Sequence, residues 1–513
     1  MARLSDRATD DERGSMLSRR QALTAGIGAV GGLALGGYAI ADLLSGPAAA
    51  RPRADVILRP KTTTVEFGSR RAATWTFNDR LPGPEVRLTQ GRPVRIRVDN
   101  DLPQATSVHW HGIRLKNDAD GVPGFTQDPI APGGSHLYEF TPPDAGTYFF
   151  HTHVGTQLDR GLYGALIVDA RREELSYDEE AVLVLDDWLD GVTGSPDQQL
   201  RALQEAGMAM QMGSGSASGA SDTRGTHTGL AGGAASVGSL AGLANQMEAK
   251  RVDVGDVKYP LFLINGRSPG NPHQVPTRKG QRTRLRIINA AADTTFCFFV
   301  EGQTLTVTHS DGQQVDHVTT DALVLGMGER YDVLVDTTDS STPRRILAVP
   351  LGKPGRALAV LRPTGTAPRS PDPAGAYSMP RRILDYRDLR DAQEAGELPG
   401  ADPQVTNVDL TMAAPYRWTM GGEVFSNAPT IALQRGRAQR FVMRNRTMMP
   451  HPMHLHGHSF RTGPGAALKD TIIVPPMRTV SVDWVADNPG AWAFHCHNVY
   501  HQEAGMMRKV LVA

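Results

Sequence analysis

Cysteine is nearly absent from this chain: its 513 residues hold only Cys297 and Cys496. A framework of structural disulfides is therefore excluded, and the folded state must rest on its own hydrophobic cores. An excess of charge of either sign is missing too. Lys+Arg and Asp+Glu both number 54, which leaves no basic face for a nucleic acid and no tract for a polyanionic partner. Long apolar runs are confined to Ala22–Leu44, a Gly/Ala-rich stretch that follows Ser18-Arg19-Arg20 and leads into Pro47-Ala48-Ala49-Ala50. Twin arginines, a weakly apolar segment and small residues after it read as a twin-arginine export signal over residues 1–50. Ala22 stands where such signals often carry Phe, and Asp42 interrupts the run, so an uncleaved membrane anchor is the competing reading. Both readings place the mature chain in the periplasm, the cell envelope or outside the cell. Export in the folded state, by the twin-arginine machinery, suits a chain without disulfides.

Beyond the signal, Gly 54 and Pro 35 punctuate short alternating runs such as Val94-Arg95-Ile96-Arg97-Val98, the pattern of many strands and turns. Set on these strands are four histidine motifs. They are His109-Trp110-His111, His151-Thr152-His153, His451-Pro452-Met453-His454-Leu455-His456 and His495-Cys496-His497, the last followed by His501 and Met506. Neighbouring side chains on a strand point to opposite faces. Each His-x-His therefore aims two imidazoles one way, while Cys496 faces away from His495 and His497. A thiolate, imidazoles and a weak thioether are the ligand set of a blue copper. His451 stands three residues before His454 and so faces the other way. Parity alone assigns His451, Cys496, His501 and Met506 to one copper, and leaves His109, His111, His151, His153, His454, His456, His495 and His497 for a second centre.

These motifs resemble those of the multicopper oxidases, the laccases and bacterial cuprous oxidases, and most closely the exported actinobacterial and mycobacterial members. Ile264-Asn265-Gly266-Arg267 and Gly328-Glu329-Arg330-Tyr331-Asp332 look like the middle domain of that family. The resemblance implies an all-β fold of three cupredoxin-like Greek-key β-sandwiches. It implies four copper ions: a type 1 copper at His451, Cys496, His501 and Met506, and a type 2 copper at His109 and His454. The type 3 pair would be held by His111, His151 and His497 on one ion and by His153, His456 and His495 on the other. A reducing substrate, Cu(I) or a phenol, gives single electrons at the type 1 site, with His451 expected to present its outer edge near the surface. Oxygen is reduced to water at the three-copper cluster. The axial thioether of Met506 implies a lower potential than a non-coordinating Leu would give. The alternative of a different class is a copper-binding or storage module without turnover.

Oxygen reduction consumes protons. Asp120 matches the proton-relay Asp of the family, although an Asp-Gly pair is also a common turn. Gln502 occupies a position where some bacterial relatives have a relay Glu, which leaves Glu503 as the neighbouring acid. Thr447, four residues before His451, replaces an acid seen in cuprous oxidases, while Met449 matches one of their methionines. Met208-Ala209-Met210-Gln211-Met212 reads as an apolar face of a short helix or strand, or as thioether capture of Cu(I). Cys297, in an apolar run, reads as a buried small hydrophobe. His458 reads as a polar neighbour without metal, and His136, His227, His273, His309 and His317 as surface or turn residues.

The length predicts several domains. Residues 51–172 form the first cupredoxin unit and 173–365 the second, interrupted at 213–244 by a Gly/Ser/Ala-rich insert. Residues 366–404 form a linker with a candidate helix at 381–397, and 405–513 form the third unit. One chain supplies the whole ligand set, so a monomer suffices.

Overall fold

The computed structural model describes residues 53–214 (207–214 as backbone alone), 239–337, 342–364, 372–393, 402–413 and 415–513. The expected export signal at 1–50, His227 and most of the Gly/Ser/Ala-rich insert lie outside the described residues, as do the side chains of Met208, Met210 and Met212.

The alternating runs become three pairs of sheets and a separate two-stranded sheet, Pro60–Phe67 with Arg70–Phe77. In the first, Val56–Leu58, Val94–Asp99 and Ser135–Phe140 form one sheet, and Val86–Thr89, Tyr163–Asp169, Gly146–His151 and His109–His111 the other. Trp110 of one sheet meets Tyr138 of the other at 5.3 Å between ring centroids. In the second pair a six-stranded sheet packs on a five-stranded one through Phe262 and Phe296, 5.9 Å apart. In the third, a four-stranded and a five-stranded sheet meet through Phe441 and Phe494 at 5.0 Å.

The wiring repeats. Each sandwich opens with a strand paired in parallel to a later one: Val56–Leu58 with Val94–Asp99, Glu179–Trp188 with Arg282–Asn289, and Gln404–Ala413 with Ala438–Asn445. A second parallel pair recurs in each opposing sheet. Three copies of one crossed-over sandwich, each buried on its inner faces, make an all-β, three-sandwich cupredoxin-like molecule. Residues 53–513 pack as one compact unit. Among the described residues no helix is long and apolar enough to cross a membrane.

Three sequence expectations change. Among its described residues, 381–393, the candidate helix is a single 3-10 turn, Tyr386–Asp388, closed by a capping box between Asp385 and Asp388. Its neighbours are extended, because Leu384, Tyr386 and Leu389 must all bury where bridges to Ala322, Val315 and Ala466 hold this strap in place. The insert is also shorter than 213–244. Leu240, Leu243, Ala244 and Met247 bury one face of a helix, Leu240–Glu248, capped by Ser239, and that helical spacing takes over the last residues of the small-residue tract. Finally, none of His136, His273, His309 and His317 lies in a turn: all four are in strands, with His317 exposed and His136 and His273 partly so, as surface residues should be. His309 is mostly buried beside Asp332, and burial lowers its imidazole to about 4. Cys297 is fully buried and unpaired.

Candidate metal centre

Strand alternation builds the site. On the edge strand His109–His111, Trp110 turns into its own sandwich against Tyr138 and Phe140, so His109 and His111 turn outward. His109 stands directly opposite His151 on the neighbouring strand. In the third sandwich His454 stands opposite His495, and Met453 opposite Cys496. His454 and His495 thus share one face and Cys496 takes the other. His153, His456 and His497 each follow closely on a strand end, just past His151, Leu455 and Cys496.

The first and third sandwiches press these faces together. His111 stacks on His454 and His109 on His456, each pair 3.8 Å between centroids. Ring nitrogens converge in threes within 4.8 Å: His109 with His111 and His454, His111 with His151 and His497, and His153 with His456 and His495. Gly328 of the middle sandwich closes one side. With φ +87, its Cβ would lie 2.9 Å from His497 and 3.0 Å from His111, so only glycine fits against these rings.

The hydrogen bonding of the rings fits metal ligation. Buried polar atoms are almost always paired. Here Nε2 of His109, His151, His153 and His454, Nδ1 of His111 and both nitrogens of His497 have no partner. Nε2 of His456 and of His495 face each other at 3.1 Å. Burial, followed by mutual repulsion, lowers His111, His151, His153, His456 and His497 well below the usual range, and a neutral imidazole is the form that ligates. On several rings the opposite nitrogen is fixed, which sets the tautomer and aim of that ring. Nδ1 of His109, His151, His454 and His495 each donates to a backbone carbonyl, of Asp120, Thr152, Asp470 and Cys496, at 2.9 Å. His111 reverses the pattern, with Nε2 at 3.2 Å from Asp470 Oδ1.

On the far side of Cys496 a second group forms. Its Sγ lies 3.5 Å from His501 Nδ1 and 3.7 Å from His451 Nδ1, and the two nitrogens are 3.1 Å apart. Met506 is fully buried beside them, its carbonyl accepting from the Cys496 amide at 3.1 Å. Burial pushes the Cys496 thiol up, so its thiolate requires a cation against it. Two imidazoles and one thiolate with a methionine at hand fit copper in its electron-transferring form.

The relatives of this chain agree. Family models described as multicopper oxidase match residues 60–173, 240–362 and 397–513. The chain is 37% identical to multicopper oxidase MmcO of Mycobacterium tuberculosis, over 96% of each chain. This chain is a multicopper oxidase. It is also 29% identical to copper resistance protein A of Escherichia coli, covering 87% of this chain and 90% of that one. In fold the oxidase is similar to Fet3p, a multicopper oxidase that functions in iron import. That likeness has a TM-score of 0.71 and 21% identity, and covers 89% of this chain and 90% of Fet3p. The laccase from Botrytis aclada gives 0.69 and 23%, covering 89% and 87%. Multicopper oxidases carry four copper ions and couple oxidation of a reducing substrate to reduction of O2, and the reading as a module without turnover is not favoured.

Around the oxidase's histidines stand residues both expected and missed. Asp120 ends a 3-10 turn before Gly121, so the turn reading describes its backbone. Its carboxylate nevertheless lies 3.2 Å from His109 Nδ1 and 3.0 Å from His456 Nδ1. Glu503 touches no histidine. It accepts from Gln502 at 3.1 Å, burial raises it, and both residues share a cavity of about 640 Å³ with His153. His458 donates to the His456 carbonyl, accepts from the Asn488 amide and packs on Trp484. His451 does not reach the surface: it is fully buried and its Nε2 pairs with Thr447 Oγ1 at 2.8 Å. His501 Nε2 instead meets Asp256 Oδ2 at 3.0 Å, and Asp256 is partly exposed. Asp256, from the second sandwich, carried no sequence signal. Nor did Asp470, which binds Arg330 through two 2.7 Å contacts while reaching His111.

Proposed function

We propose that this oxidase holds its type 1 copper with His451, Cys496, His501 and Met506, and its type 2 copper with His109 and His454. The type 3 pair is assigned to His111, His151 and His497, and to His153, His456 and His495. The observation that carries this reading is one strand end, where buried Cys496 turns to one group of rings while His495 and His497 turn to the other. When bound, one copper accepts single electrons from the donor and the other three deliver four to oxygen. The peptide of His495, Cys496 and His497 supplies a continuous covalent path between the two ligand sets. Asp120 accepts from His456 Nδ1 and borders His109, which suits a carboxylate that orients both rings and passes protons inward. Glu503, facing the cavity below His153, is the acid available in place of Gln502.

Electron uptake is assigned to His501 rather than His451. Asp256 fixes the His501 ring through Nε2 and presents a carboxylate at the surface that can take the proton a phenol gives up. Cu(I) is the second donor class. Met448 and Met477 are 47% and 60% exposed, unusual for methionine. They flank Thr447, Met448 by sequence and Met477 through its amide, 3.2 Å from the Thr447 carbonyl. Thioethers on this rim would hold a soft cation. Replacing both (Met448→Leu with Met477→Leu) is expected to raise KM for Cu(I) about tenfold, equivalent to about 1.4 kcal/mol of binding, and to leave KM for a dimethoxyphenol unchanged. An unchanged KM for Cu(I) in steady-state oxygen uptake would remove these methionines from the donor site.

The sandwiches are proposed as domains at 51–172, 173–365 and 405–513, joined by the 366–404 strap. Export by the twin-arginine route to the periplasm or beyond, and action as a monomer, complete the reading.

A further inference from the structure

One hydroxyl reaches the carboxylate that faces His501. Tyr416 donates from its OH to Asp256 Oδ2 at 2.5 Å. That oxygen is the one facing His501 Nε2 at 3.0 Å. The tyrosine is nearly buried, at 8% exposure, and its backbone is held at φ +45, a conformation that costs energy in a bulky residue. Two residues on, Trp418 lies over the His501 ring at 3.9 Å and edge-on to His451 at 5.2 Å. Tyr416 packs against that Trp at 6.0 Å. On the other side, Asp293 grips the Asp256 loop. It accepts from the amides of Asp256 and Val257, from Lys353 Nζ and from Asn498 Nδ2, and Asn498 caps the helix that carries His501. The carboxylate of Asp256 is thus held rigidly, with a single oxygen shared between an imidazole and a phenol.

A carboxylate on the outer nitrogen of a ligating imidazole makes that ring a stronger donor. It favours the oxidised metal and lowers the potential. A second donor to the same oxygen draws charge from it and weakens the effect. We propose that Tyr416 is a positioning residue that sets how much negative charge Asp256 presents to His501, and thereby fixes the type 1 potential and the range of donors the enzyme accepts. By committing Oδ2 inward, Tyr416 also leaves Oδ1 as the oxygen for an incoming substrate. This inference rests on the assignment of His501 and Asp256 to electron uptake.

The test is a cycle of Tyr416→Phe, Asp256→Asn and the double variant, in copper-loaded protein. The potential is read by redox titration of the blue absorbance. Asp256→Asn is expected to raise the potential and Tyr416→Phe to lower it. In the Asp256→Asn background, Tyr416→Phe is expected to produce no further fall, because the amide carries no charge to moderate. For a dimethoxyphenol, kcat/KM of Tyr416→Phe should fall about tenfold, the lower end of what partners of metal ligands contribute. An unchanged potential in Tyr416→Phe, or an equal fall in both backgrounds, overturns the inference, since a packing defect would act regardless of Asp256. An unchanged potential in Asp256→Asn alone overturns the His501–Asp256 assignment beneath it, and the inference with it.

Discussion

Cys496→Ser is expected to abolish the blue absorbance and to reduce oxygen uptake by more than the roughly 10–100-fold that loss of a ligand's hydrogen-bond partner costs. Folding is expected to survive. Cys496 is fully buried, and serine replaces sulfur with a smaller polar atom. The local hydrogen bonds that hold this corner come from the backbone: Cys496 N to Met506 O, His497 N to Pro452 O, and Met506 N to His501 O. None requires the thiol. On the other side His109, His151, His454 and His495 are held by backbone carbonyls, and His111 and His456 by carboxylates, so three copper ions should remain with the protein. The serine variant should therefore be colourless and unable to accept electrons from a donor, yet retain the spectroscopic signal of the type 2 copper. Retention of the blue band would place the thiolate site elsewhere, and loss of all four ions would show that Cys496 supports the whole fold.

Arg330→Met is expected to destabilise the protein by about 3–5 kcal/mol, the range for breaking a buried ion pair from one side. It should also weaken the type 2 signal. Arg330 is fully buried in the middle sandwich. Its guanidinium binds both oxygens of Asp470 at 2.7 Å from the third sandwich, and donates to the Thr147 carbonyl of the first at 3.2 Å. Burial opposes ionisation of Asp470, but Arg330, with His454, outweighs it and holds the carboxyl well below its usual range. Removing the guanidinium strands that carboxylate among His111, His454 and Asp311. Nearby, Lys469 is sealed between Asp311 at 2.9 Å and Glu329 at 3.1 Å, and Tyr386 of the strap donates to Glu329 at 2.8 Å. All three sandwiches and the linker therefore meet in one charged network behind the cluster. This explains why a domain without ligand motifs is part of the molecule. Arg330→Lys keeps the charge but not the two-pronged geometry, and should recover less than half of the loss. Calorimetric melting of the three proteins, with copper content by metal analysis, decides it. An unchanged melting temperature in Arg330→Met would remove the network from the account.

Much of the site was legible because its rule is local. Strand parity separates Cys496 from His495, and His451 from His454, and the structure gathers His451, Cys496 and His501 in one group and the remaining rings in others. Trp110 shows the same rule from inside, turning away from His109 and His111 into the core. What parity cannot supply is the partner from another domain. Asp256 lies 245 positions from His501, and Asp470 is 140 positions from Arg330. No spacing in the chain predicts either pair. The expectation that His451 presents its outer edge at the surface failed for that reason: Thr447, only four residues away, caps the fully buried His451, while the partly exposed Asp256 that meets His501 comes from the second sandwich. The 381–397 segment misled for a related reason. Its charges suggested a helix, but burial of Leu384, Tyr386 and Leu389 between two sandwiches decides the backbone.

The central claim is that these two ligand groups together oxidise a donor with oxygen and release water. The most direct measurement is the ratio of donor oxidised to oxygen consumed by the copper-loaded protein, with Cu(I) and with a dimethoxyphenol, and with peroxide assayed in parallel. The account predicts four electrons per O2, no accumulated peroxide and turnover with at least one of the two donors. Two electrons per O2 with stoichiometric peroxide, or copper binding with no oxygen uptake from either donor, would contradict it.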